Sequence, residues 1–161
     1  MYQTTSSFKE VVQSLIGEHG SKIVGVALFG SAARGEGNER SDLDFLVVVR
    51  EWPWSLERRR LLYKPIYDAV NGGAETIRDA TVIDVDEKDV MNDELEVTPL
   101  LLNIAWDAKV LYDPEGKLAR FVGKVKKLID AAGLERYRTG EGKYGWKPKS
   151  GLLRKVEVRE H

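Results

Sequence analysis

An unbroken apolar run from Ile23 to Phe29 leads directly into Gly30 and Ser31. A run of this kind, without polar alternation, is typical of a central strand that is covered on both faces. We therefore expect a β-sheet with helices packed on it, in which Gly30 and Ser31 form the turn at the end of a central strand.

The other apolar patterns predict an α/β (α+β) fold class. Three more strands are predicted at residues 42–49, 81–85 and 110–112. Apolar residues at helical spacing predict helices between Ser7 and Gly20, between Ser55 and Gly72, from Asp89 to Ala108, and between Asp113 and Gly133. A late alternation at Val156 and Val158 predicts a terminal strand. The whole pattern indicates one small mixed β-sheet with helices on it.

Charge is unevenly distributed along the chain. Residues 116–161 carry 13 Lys and Arg against 5 Asp and Glu, whereas residues 1–115 carry 12 against 21. A basic segment beside an acidic body predicts contact with phosphates, nucleic acid or an acidic partner, or else a solvated helix face. We expect residues 1–113 to form the main domain and residues 114–161 to add a helix and a basic tail packed on it.

The composition argues against several classes of protein. There is no cysteine, which excludes disulfides and cysteine-ligated zinc, and the two histidines give no support to a histidine-based zinc site or catalytic triad. No apolar run approaches the roughly 20 residues that span a bilayer. The first residues lack the pattern of a signal peptide. We expect a cytoplasmic protein with no membrane association.

The Gly30-Ser31 turn has the features of a phosphate cradle. Glycine lets the backbone approach a ligand closely, and free amide groups at the start of a helical turn point toward an anion. Ser31 can add a hydroxyl donor. Arg34 either reaches a triphosphate oxygen or pairs with an acid in the loop.

Asp42 and Asp44 open the next predicted strand, and ten residues separate Ser31 from Asp42. Side chains alternate along a strand, so both carboxylates lie on one face, with α-carbons about 6.6 Å apart. Two carboxylates so placed can hold the ions of a two-metal site, and all-oxygen ligation suits magnesium. A phosphate cradle beside paired carboxylates predicts phosphoryl or nucleotidyl transfer.

The run from Leu28 to Val49, with Gly30, Ser31, Asp42 and Asp44, resembles the motif of the polymerase-beta-type nucleotidyltransferases, in particular their minimal prokaryotic (MNT-like) domain. The resemblance implies the nucleotidyltransferase fold, two Mg²⁺ ions and a nucleoside triphosphate donor, with ATP expected. It also implies Gly30 and Ser31 on the triphosphate and a third carboxylate from a neighbouring strand.

Two acids are candidates for that third carboxylate. Asp84 has apolar neighbours on both sides and is the residue we expect to join Asp42 and Asp44 as a metal ligand and catalytic group. Asp86 lies on the same strand face as Asp84, and we expect it to cap the following helix instead.

The resemblance further implies transfer of a nucleoside monophosphate to a hydroxyl acceptor. A HEPN-type helical protein, as in toxin–antitoxin pairs, is the partner it suggests. The alternative is a nucleotide-binding or vestigial module that covers its partner without turnover. Binding of nucleic acid through the basic tail and assembly into a homo-oligomer stay open at this point.

Overall fold

The computed structural model describes residues 5–38, 41–72, 77–92, 94 and 97–149, and the strand predicted at Val156 and Val158 lies outside them. The elements follow in this order: α1 (Thr5–His19), β1 (Ile23–Phe29), α2 (Gly30–Arg34), β2 (Leu43–Val49), α3 (Leu56–Asn71), β3 (Ala80–Asp86), α4 (Glu87–Val90), α5 (Pro99–Asp107), β4 (Lys109–Tyr112), α6 (Lys117–Ala131), β5 (Leu134–Arg138) and β6 (Tyr144–Pro148).

Strands β1 to β4 form one mixed sheet in the order β3-β2-β1-β4, which confirms the predicted fold class. β1 runs antiparallel to both of its neighbours, and β2 runs parallel to β3. All seven residues of β1 are buried, as expected of a central strand covered on both faces. β5 and β6 form a separate antiparallel hairpin.

Helices cover the two faces of the sheet. Side chains of α1 and α3 pack on one face against Phe45 and Val47 of β2. Side chains of α5 and α6 pack on the other face against Leu46 and Val48. Because side chains alternate along a strand, Asp44 faces the α5–α6 layer together with Leu46.

The structure differs from the predicted elements in two places. The helix expected from Asp89 to Ala108 is two helices, because Thr98 caps a new helix through the amide of Leu101, with Pro99 in its first turn. Strand β5 was not predicted.

The helices of the described residues are all too short or too polar to span a bilayer.

Candidate active site

Gly30 lies against the carboxylate of Asp44 where β1 ends. Phe29 pairs with Asp44 across the β1–β2 ladder, which places the start of α2 beside the start of β2. Gly30 has a φ of 75°, and a side-chain carbon there would collide with Asp44 Oδ2. Only glycine meets both conditions at low cost, because it has no Cβ and adopts positive φ readily. The cradle and the carboxylate are therefore in direct contact.

The loop that follows α2 folds back over Ser31. The amides of Glu36 and Gly37 donate to the carbonyl oxygen of Ser31, at 2.9 and 3.3 Å. A side chain at Gly37 would approach Ser31 Oγ to 3.1 Å, so the loop passes close to this hydroxyl. The backbone around Ser31 is thus held in a tight turn that leads toward Asp42.

Asp42 and Asp44 interact electrostatically. Burial raises the pKa of the Asp44 carboxyl and the negative charge of Asp42 adds to this effect, although a hydrogen bond from Thr81 and the charge of Arg34 oppose it. Asp42 itself is exposed. The structure therefore brings together the two carboxylates that the sequence predicted, one at the surface and one half-buried.

Arg78 holds the turn just before Asp42, a role that no sequence pattern predicted. Its side chain is buried, and Nε and Nη2 both donate to the carbonyl oxygen of Ser41, at 3.0 and 2.9 Å. The backbone of Arg78 is fixed in turn by Asn71, which bonds both its amide and its carbonyl. The backbone at Ser41, immediately before Asp42, is therefore held in place by hydrogen bonds.

Asp79 is an acid at this end of the sheet that the sequence analysis missed. The amide of Leu43 donates to the carbonyl oxygen of Asp79 at 3.1 Å, and the β2–β3 register places Asp79 level with Asp42. Tyr63 donates a hydrogen bond to its carboxylate, which lowers the pKa of Asp79 and raises the pKa of Tyr63 to about 12. The place of Asp79 beside Asp42 follows from the alignment of β3 with β2, which a pattern within one strand does not show.

Asp84 lies away from Asp42 and Asp44, which corrects the expectation of a cluster built from these three residues. It pairs with Val47 in the β2–β3 register, three residues beyond Asp44 and so about 10 Å along the strand. Its buried carboxylate faces α3, where it bonds Arg58 at 2.7 Å and Arg59 at 3.1 Å.

Asp86, the other candidate for the third carboxylate, caps α4. Its side chain accepts a hydrogen bond from the amide of Lys88 at 2.9 Å, which is the role expected of it. Neither Asp84 nor Asp86 therefore lies beside Asp42 and Asp44.

Arg34 pairs with acids, one of the two roles that the sequence left open. Its Nη1 donates to Asp107 Oδ2 at 2.7 Å, and its Nε donates to Glu36 Oε2 at 3.0 Å. The charge of Arg34 still acts on Asp44, because it opposes the rise in the pKa of that carboxyl. Arg34 therefore contributes positive potential to the site from a fixed position.

The donor set suits a hard divalent cation in part. Asp42, Asp44 and the Thr81 hydroxyl offer oxygen atoms, and the raised pKa of Asp44 reflects a carboxylate whose charge a cation would offset. Within the described ranges, however, no three acidic, histidine or cysteine side chains converge as a metal-binding group. Among the described residues, Asp42 and Asp44 are thus the carboxylates that could hold such an ion, and magnesium also takes water and phosphate oxygens as ligands.

Comparison with known proteins covers the part of the chain that holds these residues. A family model described as "Nucleotidyltransferase domain" matches residues 6–100, which include both the cradle and the paired carboxylates. A relative from Methanocaldococcus jannaschii, "Putative protein adenylyltransferase MJ1305", is 26% identical over 121 residues, which are 74% of this chain and 79% of the relative.

Two solved structures share the fold. One is a toxin–antitoxin with AMP-PNP, at 18% identity and a TM-score of 0.52, covering 77% of this chain and 87% of the other. The second is a spectinomycin adenyltransferase from Enterococcus faecialis with ATP and spectinomycin, at 17% identity and a TM-score of 0.54, covering 81% of this chain and 66% of the other. The family model matches more than half of the chain. This chain therefore belongs to the nucleotidyltransferase domain family.

Proposed function

We propose that this chain is a magnesium-dependent nucleotidyltransferase that moves AMP from ATP to a hydroxyl group on a partner protein. The observation that carries the proposal is the contact between Gly30 and Asp44. It joins a turn suited to triphosphate with a carboxylate suited to the metal, at the end of one pair of strands.

Each residue of this site has a defined task in the proposal. Gly30 and Ser31 bind the triphosphate through backbone amides and a hydroxyl, and Arg34 adds positive potential. Asp42 and Asp44 hold magnesium, which when bound lowers the pKa of the acceptor hydroxyl and offsets charge on the phosphates.

The proposed transfer makes one bond and breaks one. The acceptor oxygen forms a bond to the α-phosphorus, the bond from that phosphorus to the β-phosphate oxygen breaks, and pyrophosphate leaves with that electron pair. The proton of the acceptor hydroxyl passes to solvent water. The chain's own contribution is to hold the triphosphate in place for an in-line displacement.

A protein acceptor is favoured by two similarities. The relative from M. jannaschii carries the name of a protein adenylyltransferase, and a structural neighbour is a toxin–antitoxin with AMP-PNP. We propose a HEPN-type helical protein as the partner. A small-molecule acceptor finds less support, because the spectinomycin adenyltransferase is a longer chain, of which the match covers 66%.

Calorimetric titration with each of the four nucleoside triphosphates, with and without magnesium, tests the site. We expect magnesium-dependent binding that favours ATP and is lost in the double variant Asp42→Asn/Asp44→Asn. Asp68→Asn/Asp130→Asn is a matched control, since it removes two exposed carboxylates from α3 and α6. Full ATP binding by the first variant would overturn the site assignment.

Label transfer tests the reaction itself. The purified chain is incubated with a lysate of its source cells and ATP labelled on the α-phosphate, and in parallel with ATP labelled on the γ-phosphate. A protein labelled only from the α-position, and only when Asp42 and Asp44 are intact, supports nucleotidyl transfer. Label from the γ-position would indicate phosphoryl transfer instead.

A second function is favoured by the position of Asp84. Because Asp84 turns toward α3, the described carboxylates beside the cradle lack the third member expected of the family. The chain would then be a module that binds nucleotide and covers its partner without turnover. Tight ATP binding without label transfer to any protein would favour this function over catalysis.

A further inference from the structure

The hairpin β5–β6 is bonded to the candidate site through a buried carboxylate. Asp107, at the end of α5, has a side chain that is 3% exposed. It accepts one hydrogen bond from Arg34 at 2.7 Å and two from Arg136 of β5, at 2.7 and 2.9 Å. Two guanidinium groups from distant parts of the chain therefore share one acid.

A second connection closes a ring around Arg34. Tyr144 of β6 donates to Glu36 at 3.2 Å, and Glu36 also accepts from Arg34 Nε. The guanidinium of Arg34 lies 4.6 Å from the centre of the Tyr144 ring, and that of Arg136 lies 3.8 Å from it. Arg34 is thus held by an acid on either side and by an aromatic ring.

Asp107 is the acid that the two arginines share. Arg34 also pairs with Glu36, whereas the side chain of Asp107 is 3% exposed and lies between both guanidinium groups. A bidentate Arg–carboxylate pair fixes direction as well as charge. Arg136 bonds both oxygens of Asp107, and Arg34 shares Oδ2 with it, so the orientation that Arg136 gives to the carboxylate also sets the position of the oxygen that Arg34 binds.

The loop that binds Arg34 is the loop that encloses Ser31. Glu36 contacts Arg34 through its side chain and Ser31 through its backbone amide. A shift of Arg34 would therefore move the turn that precedes Asp42. Through these contacts, a change in the hairpin would alter the turn that is proposed to bind the triphosphate.

We propose that Arg136 is a positioning residue for nucleotide binding, which acts through Asp107 to set the direction of Arg34 and the closure of the loop over Ser31. The proposal rests on the proposed function for its ligand, because ATP is the molecule that the cradle is inferred to bind. It adds the C-terminal hairpin to the determinants of that site.

The test compares Arg136→Met and Arg136→Lys with Lys147→Met, which alters the exposed Lys147–Glu135 pair of the same hairpin. Affinity for magnesium-ATP is measured by calorimetry, and amide hydrogen exchange is followed at Glu36 and Gly37. We expect Arg136→Met to weaken binding about 10–100-fold, by analogy with the range seen when a residue that orients a metal ligand is removed. We also expect faster exchange of both amides, with Lys147→Met like the wild type.

Arg136→Lys keeps the charge and loses the two-pronged geometry. We expect the Arg136→Lys protein to fold like the wild type and to bind magnesium-ATP with an affinity between those of Arg136→Met and the wild type. Full affinity in Arg136→Lys, or wild-type affinity and exchange in a folded Arg136→Met, would overturn the positioning role. If the wild type itself binds no ATP, the proposed function fails, and unchanged exchange in Arg136→Met would separately refute the coupling.

Discussion

Gly30 and Asp44 are packed so closely that the site has no room for a side chain between them. The contact joins the end of β1 to the beginning of β2, two segments that are neighbours in the sheet. It makes the identity of residue 30 a condition for placing the carboxylate of residue 44.

Replacing Gly30 by alanine tests this contact against a control with nearly the same φ. Gly35 has a φ of 74°, close to the 75° of Gly30, but a side-chain carbon there meets nothing within 4 Å. We expect Gly35→Ala to cost about 1–2 kcal/mol of unfolding free energy, from the left-handed backbone alone. Gly30→Ala should cost about 1–3 kcal/mol more, the range for overpacking.

Urea denaturation of both variants measures the difference. The Gly30→Ala protein should also lose magnesium-ATP affinity, whereas Gly35→Ala should keep it. Equal stability losses in the two variants would mean that Asp44 moves aside without cost.

The stability of the metal-free protein should depend on the charge of Asp44. A carboxyl whose folded pKa is raised contributes stability below its unfolded pKa, and this contribution is lost as the pH rises through the folded pKa. We therefore expect Asp44→Asn to be more stable than the wild type at neutral pH. The gain should shrink as the pH falls and the wild-type carboxyl becomes neutral.

Thermal unfolding between pH 4 and 8, without magnesium, measures this dependence, and Asp68→Asn provides an exposed control. A loss of stability in Asp44→Asn at neutral pH would contradict the prediction. It would show that the carboxylate form of Asp44 is favoured by its surroundings.

Asp84→Asn should lower the free energy of unfolding and leave the affinity for magnesium-ATP unchanged. The variant leaves Arg58, which is 2% exposed, without its carboxylate partner. Removing one member of a buried ion pair costs about 3–5 kcal/mol. Chemical denaturation measures this loss, and we expect magnesium-ATP affinity at low temperature to stay at the wild-type level.

The double variant Asp84→Asn/Arg58→Met guards against failure to fold, because removing both charges avoids an unpaired buried ion. We expect it to recover most of the stability. A well-folded variant at residue 84 that no longer binds magnesium-ATP would return Asp84 to the site.

Ser31→Ala should weaken ATP binding more than AMP binding. A hydrogen bond to a charged group contributes about 1.5–3 kcal/mol, which corresponds to an affinity loss of about 10–100-fold. The Ser31 hydroxyl is proposed to contact the triphosphate, so AMP should lose little. Calorimetry with both nucleotides, with Ser14→Ala on α1 as control, measures the difference, and an equal loss for ATP and AMP would exclude a triphosphate contact.

The sequence predicted the parts of the site that depend on one strand and one turn. The apolar run of β1 and the acids at the start of β2 are local patterns, and strand alternation alone places Asp42 and Asp44 on one face. The third acid depends on how β3 is aligned with β2. Parity along β3 relates Asp84 to Asp86, but only the register shows that both lie beyond Asp44 and that Asp84 faces α3.

The hairpin could not be predicted for a different reason. Strand β5 reads Leu-Glu-Arg-Tyr-Arg and has little apolar content. Its stability comes from contacts with distant residues, such as Arg136 with Asp107 and Trp146 with Asn103. A pattern confined to a short window does not contain such contacts, since tertiary packing overrides local propensity.

The bond between Tyr144 and Glu36 joins residues that are 108 positions apart. At about 5–20 residues per second, a ribosome needs about 5–20 s to pass from one to the other. The four-stranded sheet is complete by Tyr112, so all of its strands leave the ribosome before the hairpin does. In a nascent chain, Asp42 and Asp44 can therefore take their places in the sheet before Tyr144 can bond Glu36 in the loop over Ser31. The order of translation thus delays the final conformation of the turn at Gly30 and Ser31.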